Sequence, residues 1–161
     1  MADYTPKNQT IKLEGFAEFE QQLREMGQMY RADTVARQTL VKAVNDAMMP
    51  VLYTAGFLAP YDEKSDGPIH LKNTIRLDAR IPNGKDKQSQ YVSETDAVIG
   101  VVSAKKSAVS LAQEFGTSQI SAQPFLRPAL ESQTSQVLQI LKDRLAVLIP
   151  EAAKKLRRRK Q

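Results

Sequence analysis

The chain has no cysteine, which removes disulfide scaffolds, thiol nucleophiles and thiolate metal sites at once. It has no tryptophan and a single histidine, His70, so a histidine pair or a relay through two imidazoles is also excluded. No apolar run approaches the roughly 18 residues of a membrane span. The opening MADYTPKNQT lacks the charged-then-apolar pattern of an export signal, so the expectation is a chain made in a cytoplasm. The common nucleotide, hydrolase and zinc-protease motifs (GxGxxG, GxxxxGK[ST], GxSxG, HExxH) do not occur. Serines and threonines are plentiful, but none pairs with a base by spacing.

What remains is an ordinary globular composition: 161 residues, 42% hydrophobic and 25% charged, which fits one domain with its own core. The net charge of +5 is unevenly placed. Lys154, Lys155, Arg157, Arg158, Arg159 and Lys160 supply six positive charges, so residues 1–153 carry −1. This divides the chain into a near-neutral domain, 1–153, and a basic C-terminal tail, 154–161.

Residues 1–10 read as an irregular arm, and Ile11 and Leu13 as a short edge strand or lead-in. Phe16, Phe19, Leu23, Met26 and Tyr30 share one helical face over Gly15–Tyr30. Asp33 is placed to cap a second helix, whose apolar positions Leu40, Val41, Val44, Met48, Val51, Leu52 and Ala55 run through Phe57. Pro50 falls inside it and predicts a kink near Ala47–Met49; Pro60 closes it. About 25 residues of helix is roughly 37 Å.

Tyr61–His70 is a loop by composition. Its acidic residues Asp62, Glu63 and Asp66 beside His70 lack the ligand pattern of a calcium or zinc site and read as a solvated loop. Leu71–Ile81 alternates as a half-buried strand, Asn83–Gln90 as a mobile hairpin tip, and Tyr91–Glu94 as a returning strand. Ala97–Ser103 is a buried strand with Gly100 at a close approach or bulge. Ala108, Leu111, Ala112 and Phe115 make a short helix ending at Gly116. A last helix begins near Pro128, with Leu130, Thr134, Val137, Leu138, Leu141, Leu145 and Leu148 as its stripe. It weakens at Pro150, and Lys154–Gln161 frays. The fold class is α+β: two N-terminal helices and one C-terminal helix on a small antiparallel sheet of three to four strands.

The apolar stripes are core faces first; Met26, Met29, Met48 and Met49 also suit an adaptable interface. The basic tail has two readings, a solubilising end or contact with DNA or an anionic surface. It has no interleaved aromatics for base stacking. Glu114 beside Phe115-Gly116 reads as a hydrogen-bonding or interface carboxylate at a helix end rather than a catalytic acid.

The segment Glu114–Leu130, EFGTSQISAQPFLRPAL, carries a resemblance. EFGT, a short loop and PFLRPAL resemble the C-terminal signature of the tail-completion (HK97-type tail-component) proteins of long-tailed double-stranded DNA phages. Leu13-Glu14-Gly15-Phe16, Leu58-Ala59-Pro60, Asp66-Gly67-Pro68 and Leu71–Ile75 are similar to earlier parts of that family, so the likeness spans about residues 11–148. The chain departs from the family at Ser107–Gln113, where an aromatic-alanine run is usual, and at Ser65–Pro68.

The resemblance implies a non-enzymatic virion protein of the tail or neck, with no cofactor or metal. It would form a six-fold ring that completes the tail for joining to the head. Implied partners are the tail terminator, the tail tube, and head-completion or connector proteins, with packaged DNA reached through the basic tail and no membrane. The implied interface is Glu114, Phe115, Gly116, Thr117, Pro124, Phe125, Leu126, Arg127 and Pro128. Phe115, Phe125 and Leu126 double as core plugs, and Arg127 is a carboxylate partner within or between subunits. Two other readings stand beside it: a tail terminator capping the tube, and a small DNA-binding protein acting through its tail.

Overall fold

The computed structural model describes residues 34–61, 70–94 and 96–159. The arm, Ile11–Leu13, the helix expected over Gly15–Tyr30, the Asp33 cap, residues 62–69 and Lys160 lie outside the described residues. The described chain is α+β: helices α1 (Thr34–Leu58), α2 (Ala108–Phe115) and α3 (Leu126–Arg159), with antiparallel strands β1 (Arg76–Arg80) and β2 (Ile99–Ser103). Short 3₁₀ turns occupy Leu71–Thr74 and Asp86–Gln88.

The two long helices form the frame. α1 runs unbroken for 25 residues through Pro50. Its buried line is Ala36, Leu40, Ala43, Ala47, Val51 and Ala55, continued by Ala59 just past its end, spaced by three and four and mostly alanine, so another helix can approach closely. That helix is α3. Leu40 and Ala43 near the start of α1 cluster with Leu145, Leu141 and Leu148, while Val51 and Ala55 near its end cluster with Ala129, Leu126 and Val137. The pairing of early with late positions makes the helices antiparallel, and Arg144 ties to Asp46 across them at 3.3 Å.

The sheet lies against α1. Ile75, Leu77 and Val102 pack on Met48 and Val51. A two-stranded ribbon is marginal in water, so this helix supplies the apolar face it needs. Arg76 pairs with Ser103 and Ala79 with Gly100. Gly100 is a close approach, as its position in the strand predicts: a Cβ there would sit 2.8 Å from Met48 Cγ and 2.9 Å from Val44 Cγ1.

Several expectations need correction. Among the described residues the sheet has two strands, not three to four. Leu71–Thr74 is a 3₁₀ turn, so the strand is confined to Arg76–Arg80. Tyr91–Glu94 is not a strand. The backbone N–H of Ser93 donates to Asp96 Oδ2 at 2.9 Å and that of Asp96 to the Ser93 carbonyl at 3.1 Å, local bonds that compete with a ladder.

The hairpin tip is a built turn. Asp86 accepts from the guanidinium of Arg80 (Nη2–Oδ1 2.7 Å) and from the backbone of Asn83, while Asn83 Oδ1 accepts from the backbones of Lys85 and Asp86. Arg80 also bonds Asp78. The Arg80 bond, with the Asn83 N–H behind it, holds the Asp86 carboxyl below the usual carboxylate range.

The expected break at Pro150 does not occur: α3 continues for 34 residues to Arg159, so Lys154–Arg159 is helix rather than a frayed tail. Proline costs a helix one hydrogen bond and a clash, about 3 kcal/mol. Ala152 just beyond Pro150 and Val51 just beyond Pro50 are both buried, so each helix continues into packed structure past its proline. Leu130, assigned to the apolar stripe, is exposed while Ala129 is buried, and Phe57, at the end of the α1 pattern, is also exposed.

Candidate functional site

The EFGT and PFLRPAL segments come together as a joint between α2 and α3. α2 begins with a reciprocal cap: Ser107 Oγ accepts from Ser110 N–H at 3.1 Å, and Ser110 Oγ accepts from Ser107 N–H at 2.9 Å. Ser110 Oγ also donates to the Lys105 carbonyl at 2.9 Å, which accounts for a buried serine. Serine here stands where the usual capping box has Glu or Gln, so the S-x-x-S spacing was the available signal, and the motif reading passed over it.

α2 ends at Gly116, as expected. Its N–H donates to the Ala112 carbonyl at 2.8 Å. With φ 76° and ψ 177°, Gly116 occupies a region that residues with a Cβ scarcely enter, and a Cβ would lie 2.9 Å from Ala122 N. The following loop is closed on itself. Thr117 N–H donates to the Ile120 carbonyl (2.8 Å), Thr117 Oγ1 accepts from Gln119 and Ile120 N–H, and Gln123 N–H returns to the Gln113 carbonyl at 2.7 Å.

Glu114 completes the joint. Its Oε2 accepts from the backbone N–H of Phe125 (2.9 Å) and Leu126 (3.0 Å), and its Oε1 from that of Arg127 (3.2 Å). These are the donors a helix start leaves without partners. The next residue, Pro128, has no N–H. One carboxylate from α2 and one proline therefore satisfy the first turn of α3, and the charge complements the helix dipole. This meets the expectation of a hydrogen-bonding carboxylate at a helix end.

The apolar members divide. Phe125 is fully buried (0% exposed) and is the plug that was expected. Leu126 is half-buried and packs against the Met48–Val51 cluster. Phe115 is a correction: it is 67% exposed, because the last turn of a short helix that stops at Gly116 turns its ring to solvent. Pro124 and Arg127 are exposed, with Arg127 on the first turn of α3.

Beside the joint lies a groove of about 670 Å³. Met48 and Val51 of α1, Val102 of β2 and Phe125 form its apolar floor; Tyr91, Leu111, Phe115, Leu130, Lys106 and Glu131 are on its rim. Sequence reasoning missed this groove, because residues 91, 111, 115 and 130 share no single periodic pattern.

The basic cluster is elsewhere. Lys154, Lys155 and Arg158 are exposed on the last turns of α3, at the opposite end from the joint. Asp62, Glu63 and Asp66 lie outside the described residues; His70 stacks on Tyr61 with ring centroids 4.7 Å apart. Among the described residues no three histidine or acidic side chains converge as metal ligands, and no helix is long and apolar enough to cross a membrane.

The joint thus fixes backbone geometry and presents an apolar rim; its one carboxylate is already engaged by three backbone donors. Comparison with protein-family models, with curated proteins and with solved structures finds no match to this chain.

Proposed function

We propose that the chain is a non-enzymatic structural protein of a phage head–tail junction, completing the tail through ring assembly. The observation that carries this reading is the joint itself. The residues that resemble the family signature, Glu114, Gly116, Thr117 and Pro128, set a rigid loop and a helix start, while Phe115 faces solvent beside a groove. A rigid, apolar, exposed surface suits docking, and a head-to-tail contact that closes makes a ring.

On this reading Gly15–Tyr30 adds a helix before α1, Ile11 and Leu13 supply an edge strand or a lead-in to it, and the assembly is a virion component of the tail or neck. Its partners are other copies of the chain in a six-fold ring, the tail tube, the tail terminator, and head-completion or connector proteins. A terminator role would differ in position rather than chemistry.

Sedimentation of the purified chain, alone and with tail-tube and connector proteins, tests the proposal. A ring is expected; a chain that stays monomeric under all these conditions refutes it.

A second reading is favoured by one observation. Lys154, Lys155 and Arg158 stand exposed on an ordered helix, a cation cluster suited to a polyanion such as DNA. Removing Lys154–Gln161 should then abolish DNA retention at low salt. Retention unchanged by the truncation rejects this reading.

A further inference from the structure

Asparagine occurs four times, at Asn8, Asn45, Asn73 and Asn83, and only Asn83 is followed by glycine. The backbone nitrogen after an asparagine is a nucleophile that closes a five-membered ring when it attacks that residue's own side-chain carbonyl carbon. Glycine leaves the nitrogen unshielded and lets the main chain turn into the attacking conformation. The other described asparagines are poorly placed for this. Asn45 is half-buried inside α1, where the helix fixes the backbone, and Asn73 precedes the stiff, β-branched Thr74 in a 3₁₀ turn.

At Asn83 the parts of the reaction are present together. Asn83 and Gly84 are both exposed, at the tip of the connection between β1 and β2. A Cβ added at Gly84 would meet nothing within 4 Å, so the approach to its nitrogen is open. Among the described residues neither the Gly84 N–H nor Asn83 Nδ2 makes a hydrogen bond, so the nucleophile and the leaving group are both exposed to water. The carbonyl between them is engaged. Asn83 Oδ1 accepts from the backbone N–H of Lys85 at 2.9 Å and of Asp86 at 3.0 Å. Two donors at that distance draw charge onto Oδ1 and stabilise the oxyanion that forms when Cγ is attacked.

We propose that Asn83–Gly84 is a self-modification site, at which the folded chain converts Asn83 to aspartate and isoaspartate with water as the only co-reactant. The Gly84 nitrogen gives up its proton to solvent and bonds to Asn83 Cγ; the Cγ–Nδ2 bond breaks, and Nδ2 takes a proton and leaves as ammonia. Water then opens the cyclic imide. Cleavage of the new N–Cγ bond gives aspartate. Cleavage of the bond from the Gly84 nitrogen to the Asn83 backbone carbonyl carbon gives isoaspartate, with the chain now running through Cγ.

The products change the turn. Aspartate still offers an oxygen to Lys85 and Asp86, but it sets a second carboxylate beside that of Asp86, which already holds Arg80. Isoaspartate adds a methylene to the main chain and shifts two bonds out of register: Asn83 N–H to Asp86 Oδ2 at 2.9 Å, and Lys87 N–H to the Asn83 carbonyl at 3.1 Å. The hairpin tip therefore loosens as the protein ages.

Incubating the purified, folded chain in neutral and mildly alkaline buffer, followed by peptide mass mapping, tests this. Replacement of the side-chain NH₂ by OH adds about 1 Da. The gain should be confined to the peptide holding residues 83 and 84, proceed without added enzyme, and speed up as pH rises, because the attacking nitrogen must lose its proton. An isoaspartate-specific methylation assay should label the same peptide. Gly84→Ala should slow the gain at least about tenfold, because alanine shields the nitrogen and restricts its backbone. Asn83→Ser keeps a capping oxygen but has no amide to lose, so it should abolish the gain. Matching thermal melts confirm that both variants fold. A folded chain that stays unmodified while the same chain unfolded in urea gains mass at Asn83 overturns the proposal, because the turn then shields the site. A gain that is unchanged in Gly84→Ala, or that falls on Asn45 or Asn73 instead, overturns it as well.

Discussion

Replacing Glu114 separates a cap from a catalytic or purely interfacial carboxylate. In the native chain its two oxygens accept from three backbone donors at the start of α3, and Phe125, which carries one of them, is fully buried. Loss of a capping side chain typically costs about 0.5–2 kcal/mol. Loss of a negative charge at a helix N-terminus costs about 0.3–1 kcal/mol. A donor left in a dry site adds about 1–3 kcal/mol. These overlap rather than add, and they place Glu114→Ala at about 2–3 kcal/mol of destabilisation. Glu114→Gln keeps one carbonyl oxygen but no charge, so about 1 kcal/mol is expected.

For a chain of this length, 1 kcal/mol corresponds to about 2–4 °C in Tm. Circular dichroism melts should therefore show a fall of about 5–10 °C for Ala and less for Gln, with Asp intermediate because its shorter arm cannot reach all three donors. Raising the salt concentration should narrow the gap between native and Gln. A Glu114→Ala protein that melts within about 1 °C of native would show that the carboxylate does not hold α3, and the structural account of the joint would fail. Lowered assembly with unchanged melting would instead assign Glu114 to an interface.

Gly116→Ala forces a Cβ into backbone at 2.9 Å in a strained φ/ψ region. It should cost about 3 kcal/mol, read from denaturant midpoints; a neutral effect refutes the loop geometry. Gly100→Ala meets the flexible Met48 side chain as well as the stiff Val44, so about 1–3 kcal/mol is expected, with the Gly100→Ala, Met48→Ala pair recovering part of the loss in a double-mutant cycle. Asp86 is held below its ordinary value by Arg80 and Asn83, so its contribution is complete above about pH 4 and disappears as pH falls through the lowered folded value. Its carboxyl carbon should titrate with a midpoint below about 3.9, and Arg80→Ala should raise that midpoint. A midpoint at or above 3.9 in the native chain rejects the Arg80–Asp86 turn.

Much of the frame is legible in the sequence because it rests on local rules. The i, i+3, i+4 spacing gave α1, alternation gave β1, and Gly116 marked the end of α2. Gly100 read as a close approach because a glycine inside a β-branched run needs a reason.

What escaped depended on partners distant in the chain. Pro150 looked like a helix end, because proline is a local stop signal and the burial of Ala152 beyond it is not visible in the local pattern. Phe115 and Phe125 are the same residue type in the same motif, yet one faces water and the other is the plug; which face is covered depends on α1 and β2. Glu114 was recognisable as a helix-end carboxylate, but its donors lie 11 to 13 residues further on. Tyr91–Glu94 has strand-forming residues, but the Ser93 N–H is taken by the Asp96 carboxylate and the Ser93 carbonyl by the Asp96 N–H, local bonds in place of a ladder.

The Glu114 cap also determines where the molecule can meet anions. A helix start normally offers free N–H groups to phosphate. At α3 those groups are engaged by a carboxylate and the next residue has none to offer, so this helix start has no free N–H groups left for a phosphate. The opposite end of α3 carries exposed lysines and an arginine, about 50 Å away along the helix axis. One continuous helix thus has a start whose backbone donors are already taken and an end that carries exposed cations. Any assembly that aligns its α3 helices would display the cations together on one side only.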